Sequence, residues 1–247
     1  MVEGTWSLSD IEAYVVSETH HGKPGLKASK KEALARELRP AADAWFPILR
    51  DSPVSGARQV AAQLASYLWS DHADLTESVW ALADDPDWEV REWAVGPFVA
   101  LGLARPGAWA LFREWADQGS EGVKRALAVA LKHTAHTGRV EAAPLLSVAD
   151  SLAVAESEYV RKNLGPFGIG DGVLPCFPRE TLVHLGVWAE SPAWPARWNA
   201  AAAFTAKKAR PWGESGRGWL AVLAHDADAA VSRMARRALG NLAPPAN

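Results

Sequence analysis

Apolar and polar positions along this 247-residue chain recur in one short phrase: a small polar lead-in, Val or Ala, a basic residue, then an Ala-rich apolar stretch. It reads Gly56-Ala57-Arg58-Gln59-Val60-Ala61, then Glu89-Val90-Arg91-Glu92-Trp93-Ala94, then Gly122-Val123-Lys124-Arg125-Ala126-Leu127. It returns as Tyr159-Val160-Arg161-Lys162-Asn163-Leu164, Pro195-Ala196-Arg197-Trp198-Asn199-Ala200 and, more loosely, Ala230-Val231-Ser232-Arg233-Met234-Ala235. The anchors at 57, 90, 123, 160, 196 and 231 are spaced by 33, 33, 37, 36 and 35 residues. A helical pattern with this period predicts stacked hairpins, because a single hairpin cannot bury its own apolar face. The expected fold is all-α: an α-solenoid of about six stacked helical hairpins with a concave face.

The same pattern predicts two amphipathic helices over 8–20 and 27–38, separated by a loop at His20-His21-Gly22-Lys23-Pro24-Gly25. First helices are expected at 41–50, 74–83, 106–117, 141–152, 179–190 and 215–224. Second helices are expected at 55–69, 88–103, 121–135, 158–164, 194–209 and 229–240. Asp, Ser and Pro in the intervening breakers are the N-terminal signals such helices use. Together these make one repeat domain over 1–247, with N-terminal helices to 40, repeats over 41–240 and a frayed tail over 241–247. One repeat is damaged: Gly165-Pro166-Phe167-Gly168-Ile169-Gly170-Asp171-Gly172 follows the phrase at 159–164. Pro costs about 3 kcal/mol in a helix and each Gly about 1, so the helix should kink or stop there. Two readings stand, a disrupted repeat bridged by a long loop and a ligand-facing loop whose glycines admit a close backbone.

Composition narrows the class. No run of about 18 apolar residues exists, so no membrane span is expected. The N-terminus shows no basic-then-apolar leader, and the single Cys176 suits a reducing compartment, so the cytoplasm is the expected location. Net charge is −3 but unevenly spread. Residues 71–92 hold eight carboxylates against Arg91, a net −7, whereas 194–247 hold eight basic residues against three acidic, a net +5. That asymmetry reads either as ordinary solvated helix faces with acidic first turns or as a basic C-terminal half that holds a polyanion.

Thirteen tryptophans are available. Trp45, Trp69, Trp80, Trp109, Trp115 and Trp188 fall where they fill a core. Trp88, Trp93, Trp194 and Trp198 sit in or beside the phrase that opens each second helix, where they serve either the core or stacking on a ligand. The basic series Arg58, Arg91, Lys124, Arg161 and Arg197 recurs regularly enough to be a stacking element paired with a neighbouring turn. Two residues after each anchor runs a variable column, Gln59, Glu92, Arg125, Lys162, Trp198 and Arg233. It sets one carboxylate among cationic and aromatic groups, with Trp88 one turn before Glu92 on the same face.

Val90-Arg91-Glu92-Trp93-Ala94, followed by Gly122-Val123-Lys124-Arg125-Ala126 and Tyr159-Val160-Arg161-Lys162, resembles the DNA alkylation repair glycosylases of the AlkC and AlkD type, built from HEAT-like repeats. The resemblance covers roughly residues 75–190. Carried over, the catalytic residues it implies are Trp88, Glu92 and Arg125. The second Trp of the AlkD branch falls near Pro166, and the Asn-Asp pair of the AlkC branch meets Ile169-Gly170, with Asp171 one position further. What the resemblance implies is excision of an N-alkylated base from double-stranded DNA without cofactor or metal, through stabilisation of an oxocarbenium-like sugar by Glu92. Trp93, Lys162, Arg197, Trp198, Lys207, Lys208, Arg233, Arg236 and Arg237 would then contact DNA.

Other signals are weaker. His133 and His136 have a helical metal spacing but no clear third ligand, and no nucleophile elbow is present. A non-catalytic scaffold that binds DNA or another protein, monomeric like many solenoids of this length, is the alternative function.

Overall fold

The computed structural model describes residues 6–20 and 22–242. The expected tail at 243–247 and His21 lie outside the described residues. The chain is all-α apart from one short hairpin, and it divides into two compact units, Met1–Arg105 and Pro106–Asn247.

In the first unit, α1 (Leu8–Val15) begins with a capping box: Ser7 Oγ accepts from the Asp10 N–H, and Asp10 returns a bond to the Ser7 N–H. The helix ends five residues earlier than the pattern predicts. The chain then forms β1 (Thr19–His20) paired with β2 (Lys23–Pro24), so the expected loop is a tight hairpin. α2 (Ala28–Leu38), α3 (Ala42–Arg50) and α4 (Ser55–Leu68) follow, and α4 is the centre of the core, burying Ala57, Val60, Ala61, Leu64 and Ala65. α1, α2, α3 and α7 (Val95–Ala104) all pack on α4. Trp69 closes this core, edge-on to Phe98 at 5.1 Å between centroids. After α5 (Thr76–Ala83), the second helix expected at 88–103 is two helices, α6 (Trp88–Trp93) and α7, with the break at Ala94. Pro97 explains it: the residue lacks an N–H, and its ring would clash with the carbonyl of Trp93 in a continuous helix.

In the second unit, helices alternate between two layers. The first layer stacks α8 (Ala108–Gln118), α10 (Ala142–Ala153), α13 (Pro178–Ala189) and α15 (Gly213–Leu223) in order. The second stacks α9 (Glu121–Ala135), α11 (Glu158–Asn163) with its continuation, α14 (Trp194–Ala203) and α16 (Ala229–Leu242). Ser120 and Ser157 cap α9 and α11 through the N–H groups of Val123 and Val160. α14 stops at Ala203 rather than 209, where Thr205 Oγ1 donates to the Ala202 carbonyl at 2.7 Å, and a 3₁₀ turn over Lys207–Trp212 follows. Asn241 and Leu242, expected in the frayed tail, belong to α16.

The damaged repeat is neither a bridging loop nor an open one. Beyond α11 the backbone winds on as a π-helix over Leu164–Val173, then a single turn α12 (Leu174–Cys176). Pro166 cannot sit in a regular α turn without striking the Lys162 carbonyl, and the wider winding relieves that clash. The glycines let two neighbours approach. A Cβ on Gly168 would lie 2.5 Å from the Ala128 carbonyl oxygen, and one on Gly172 would lie 2.6 Å from Lys132 Cα, both on α9. On the other side, a Cβ on Gly165 would meet Ala202 Cβ at 2.9 Å and one on Gly170 would strike the Ala203 carbonyl oxygen, both on α14. The π-helix is thus the central slat of the second layer, and its glycines are packing surfaces rather than hinges.

Candidate functional site

The recurring basic residue has a structural task, as its regularity predicts. Arg58 Nη1 donates to the carbonyls of Ser52 and Pro53, and its Nε and Nη2 grip Asp85 at 2.6 and 3.0 Å. Arg197 repeats the arrangement on the Ser191 and Pro192 carbonyls and on Asp226, at 2.6 and 3.1 Å. Arg91 donates to the Asp85 and Pro86 carbonyls, Lys124 to that of Asp117 and Arg161 to that of Glu156. Each cation therefore satisfies carbonyls of the chain leading into its own helix, and Arg58 and Arg197 also clasp the next repeat's Asp. The guanidinium holds Asp226 below the usual carboxylate range, and Asp226 raises Arg197 in return.

The Trp88–Glu92 pair stands on α6. Asp87 caps the helix, its Oδ1 accepting from the Glu89 N–H at 2.8 Å, and Val90 is buried beneath it. The two site residues are four apart, on one face, and both are exposed, Trp88 at 48%. Glu89 turns the other way. Its Oε2 accepts from Gln59 Nε2 at 3.2 Å and lies 4.0 Å from the Lys31 ammonium. Lys31 is only 3% exposed, bonds to Gln59 Oε1 and lies 5.8 Å from the Trp93 ring centroid. Burial lowers its pKa, against the pull of Glu89 and Asp87. Trp93 is accordingly half-buried against the lysine. Lys23 completes the group from β2, its ammonium 4.0 Å from both Asp87 Oδ2 and Glu89 Oε1 and 5.6 Å from the Trp88 centroid.

The recurring phrase does not reveal this polar cluster under α6. One signal pointed to it: Lys31 shares the buried face of α2 with Leu34, Ala35 and Leu38, a spacing that a solvated lysine would not keep. Lys23 gave no such signal, because only the hairpin brings it to α6.

The remaining site candidates lie in the second unit. Arg125 is 4% exposed, its guanidinium 5.8 Å from the Tyr159 ring centroid, so it sits in packed protein rather than at an open surface. Trp198 is 6% exposed and has the Arg161 guanidinium 4.9 Å from its ring centroid, with Trp194 on the same cation at 4.4 Å. Little of Trp198 remains to meet a ligand, and Arg197 is committed to Asp226 and two carbonyls. Lys162 is exposed and pairs with Glu158 at 2.6 Å. Lys207 and Lys208 are exposed on the 3₁₀ turn, and Arg233, Arg236 and Arg237 on α16, where Arg236 Nε also donates to the Ala224 carbonyl at 3.1 Å. Lys132 sets its ammonium 3.4 Å from the Phe167 centroid. His133 lies beside the same ring, and His136 Nε2 is 3.1 Å from the Asp171 carbonyl oxygen. Among the expected core tryptophans, Trp69, Trp109 and Trp188 are buried, and Trp45, Trp80 and Trp115 only half-buried.

On the first layer of this unit, a cavity of about 300 Å³ opens between α10 and α13. Its walls include the exposed Val154, Val183 and Val187. In its floor Asp150 Oδ1 accepts from Trp188 Nε1 at 2.7 Å and lies 2.9 Å from His184 Nδ1.

No protein-family model matches the chain, and neither does the sequence of any curated protein. Among solved structures, a designed armadillo repeat protein in complex with the peptide (KR)4 is 19% identical, over 80% of this chain and 98% of its own, with a TM-score of 0.33. A second designed armadillo repeat protein is 21% identical over the same shares, with a TM-score of 0.34. An engineered protein is 18% identical over 94% of this chain and 98% of its own, at 0.27. The paired helices of each unit, stacked in the order of the sequence repeat, make this chain an all-α helical-repeat protein.

Proposed function

We propose that this chain binds double-stranded DNA and excises N-alkylated bases, with Glu92 as the catalytic carboxylate and Trp88 as the ring against the alkylated nucleotide. The observation that carries the reading is the exposure of both side chains on one turn of α6, with the adjacent Glu89 held inward by Gln59 and Lys31. Alkylation leaves the base cationic, so the glycosidic bond breaks with its electron pair passing to the base, which departs neutral. The deoxyribose left behind carries oxocarbenium-like charge. A fixed carboxylate beside it lowers that barrier electrostatically and accepts the proton of the water whose oxygen bonds to C1′. Arg125 and Trp198 have no direct part in this version, because both are enclosed by protein. Phosphate contacts fall to the exposed Lys207, Lys208, Arg233 and Arg237.

Two measurements test it. Release of a methylated purine from duplex DNA should occur with wild type and be lost in Glu92→Gln. Duplex affinity should fall steeply with salt, since phosphate contacts release counterions. A second reading, a scaffold that grips another protein, is favoured by the exposed valines around the α10–α13 cavity. It predicts no duplex binding at low salt.

A further inference from the structure

The exposed face of Trp88 is already in use. Lys23 reaches it from the hairpin, and its ammonium sits within cation–π range of the ring. The two carboxylates that flank the ammonium, on Asp87 and Glu89, stand at 4.0 Å, beyond hydrogen-bond distance. Each has firmer partners elsewhere: Asp87 Oδ1 caps α6, and Glu89 Oε2 takes the Gln59 amide. Glu89 Oε1, the oxygen nearer Lys23, is buried and accepts no hydrogen bond among the described residues. Lys23 itself remains about half exposed on a two-residue strand. The ammonium is therefore held by charge and by the ring without being locked in place. The first unit strengthens that hold, carrying sixteen acidic residues against ten basic ones.

We propose that Lys23 is a built-in competitor of the ligand at Trp88: its ammonium holds the place that a cationic, N-alkylated base takes on the ring, and it must swing away before that base can bind. The proposal rests on the function proposed above and adds to it a specificity element. A ring that keeps a cation in the free protein accepts a cationic base in exchange for the lysine, with no change in the charge around the carboxylates. A neutral base would remove one of the two ammoniums near Glu89 and put no charge in its place. Lysine at 23 thus raises the threshold for every ligand, and the carboxylates lower it again only for a cationic one.

The sign of the effect separates this role from an ordinary DNA contact. Lys23→Gln should lower KM for excision of a cationic lesion by roughly two- to fivefold, the change that loss of one exposed cation–π contact gives. Its kcat should be unchanged, and Lys23→Arg should behave as wild type. If Lys23 instead gripped a phosphate, Lys23→Gln would raise KM, and that result, like no change, overturns the proposal while leaving the glycosylase reading intact. Should neither wild type nor Lys23→Gln excise any base, the glycosylase reading falls and the free nucleoside decides the competitor role. The probe is 7-methylguanosine against neutral guanosine, followed at the indole resonance of Trp88, identified with Trp88→Phe. Selective binding of the cation, tightened in Lys23→Gln, supports the competitor role. Absence of binding, or equal binding of guanosine, overturns it.

Discussion

Arg197 and Asp226 show how much of the charge in this chain is structural. The pair is largely buried and doubly hydrogen-bonded, and each partner also serves backbone groups of its own turn. Replacing Arg197 with Ala would strand the carboxylate and should cost about 2–3 kcal/mol by denaturant unfolding, less than the loss of a fully buried pair. Because Asp226 is depressed in the folded protein, this stabilisation is fully present above its unfolded pKa and disappears as pH falls through the folded one. The gap between wild type and Arg197→Ala should therefore hold at neutral pH and narrow below about pH 4. A gap that persists unchanged in acid would contradict the assignment. The regularity of the basic series made this role legible from the sequence. The burial of Trp198 was not, because nothing in its phrase distinguishes a ring offered to a ligand from one stacked on Arg161. Nor was the approach of Lys23 to Trp88, which depends on the hairpin between α1 and α2.

At the scale of elements, the π-helix is where local propensity and tertiary packing disagree. Four glycines and a proline within eight residues argue against any helix, yet the backbone stays helical because α9 and α14 press on it from both sides. Gly170→Ala would force a Cβ onto the Ala203 backbone and should cost about 2 kcal/mol or more, since backbone cannot yield as a flexible side chain does. Gly186→Ala, inside α13 with nothing within 4 Å of the added atom, should instead stabilise by about 0.5–1 kcal/mol. Thermal unfolding of the two variants checks both signs, and a harmless Gly170→Ala would contradict the packing role. Most other helices follow the apolar spacing to within two residues or so. The exceptions are α1, cut short ahead of the hairpin, and the places where a side chain acts on the backbone, at Pro97, Pro166 and Thr205. Sequence periodicity sees which face is apolar, but a break set by one ring or one hydroxyl leaves the period untouched.

For the whole molecule, charge is divided between the units. The first holds sixteen acidic residues against ten basic, the second thirteen acidic against sixteen basic. Several of the second unit's cations are spent on carbonyls and carboxylates, so its exposed lysines and arginines, rather than its net charge, set the number of phosphates it can neutralise. If Lys207, Lys208, Arg233 and Arg237 each meet one phosphate, neutralising all four should flatten the log–log salt slope of duplex binding by roughly 3.6, at about 0.9 per contact. Neutralising Arg197 or Arg161 in a still-folded protein should leave that slope where it was. A slope indifferent to the four exposed cations would remove the second unit from the DNA interface.

The most direct test of the account is single-turnover release of a methylated purine from duplex DNA by wild type and by Glu92→Gln, with folding checked by circular dichroism. Wild type should excise the base, and the rate should fall by about a hundredfold or more in Glu92→Gln, the scale on which removing one preorganised stabiliser of a charged transition state is felt. No excision by wild type, or equal excision by a folded Glu92→Gln, would contradict it.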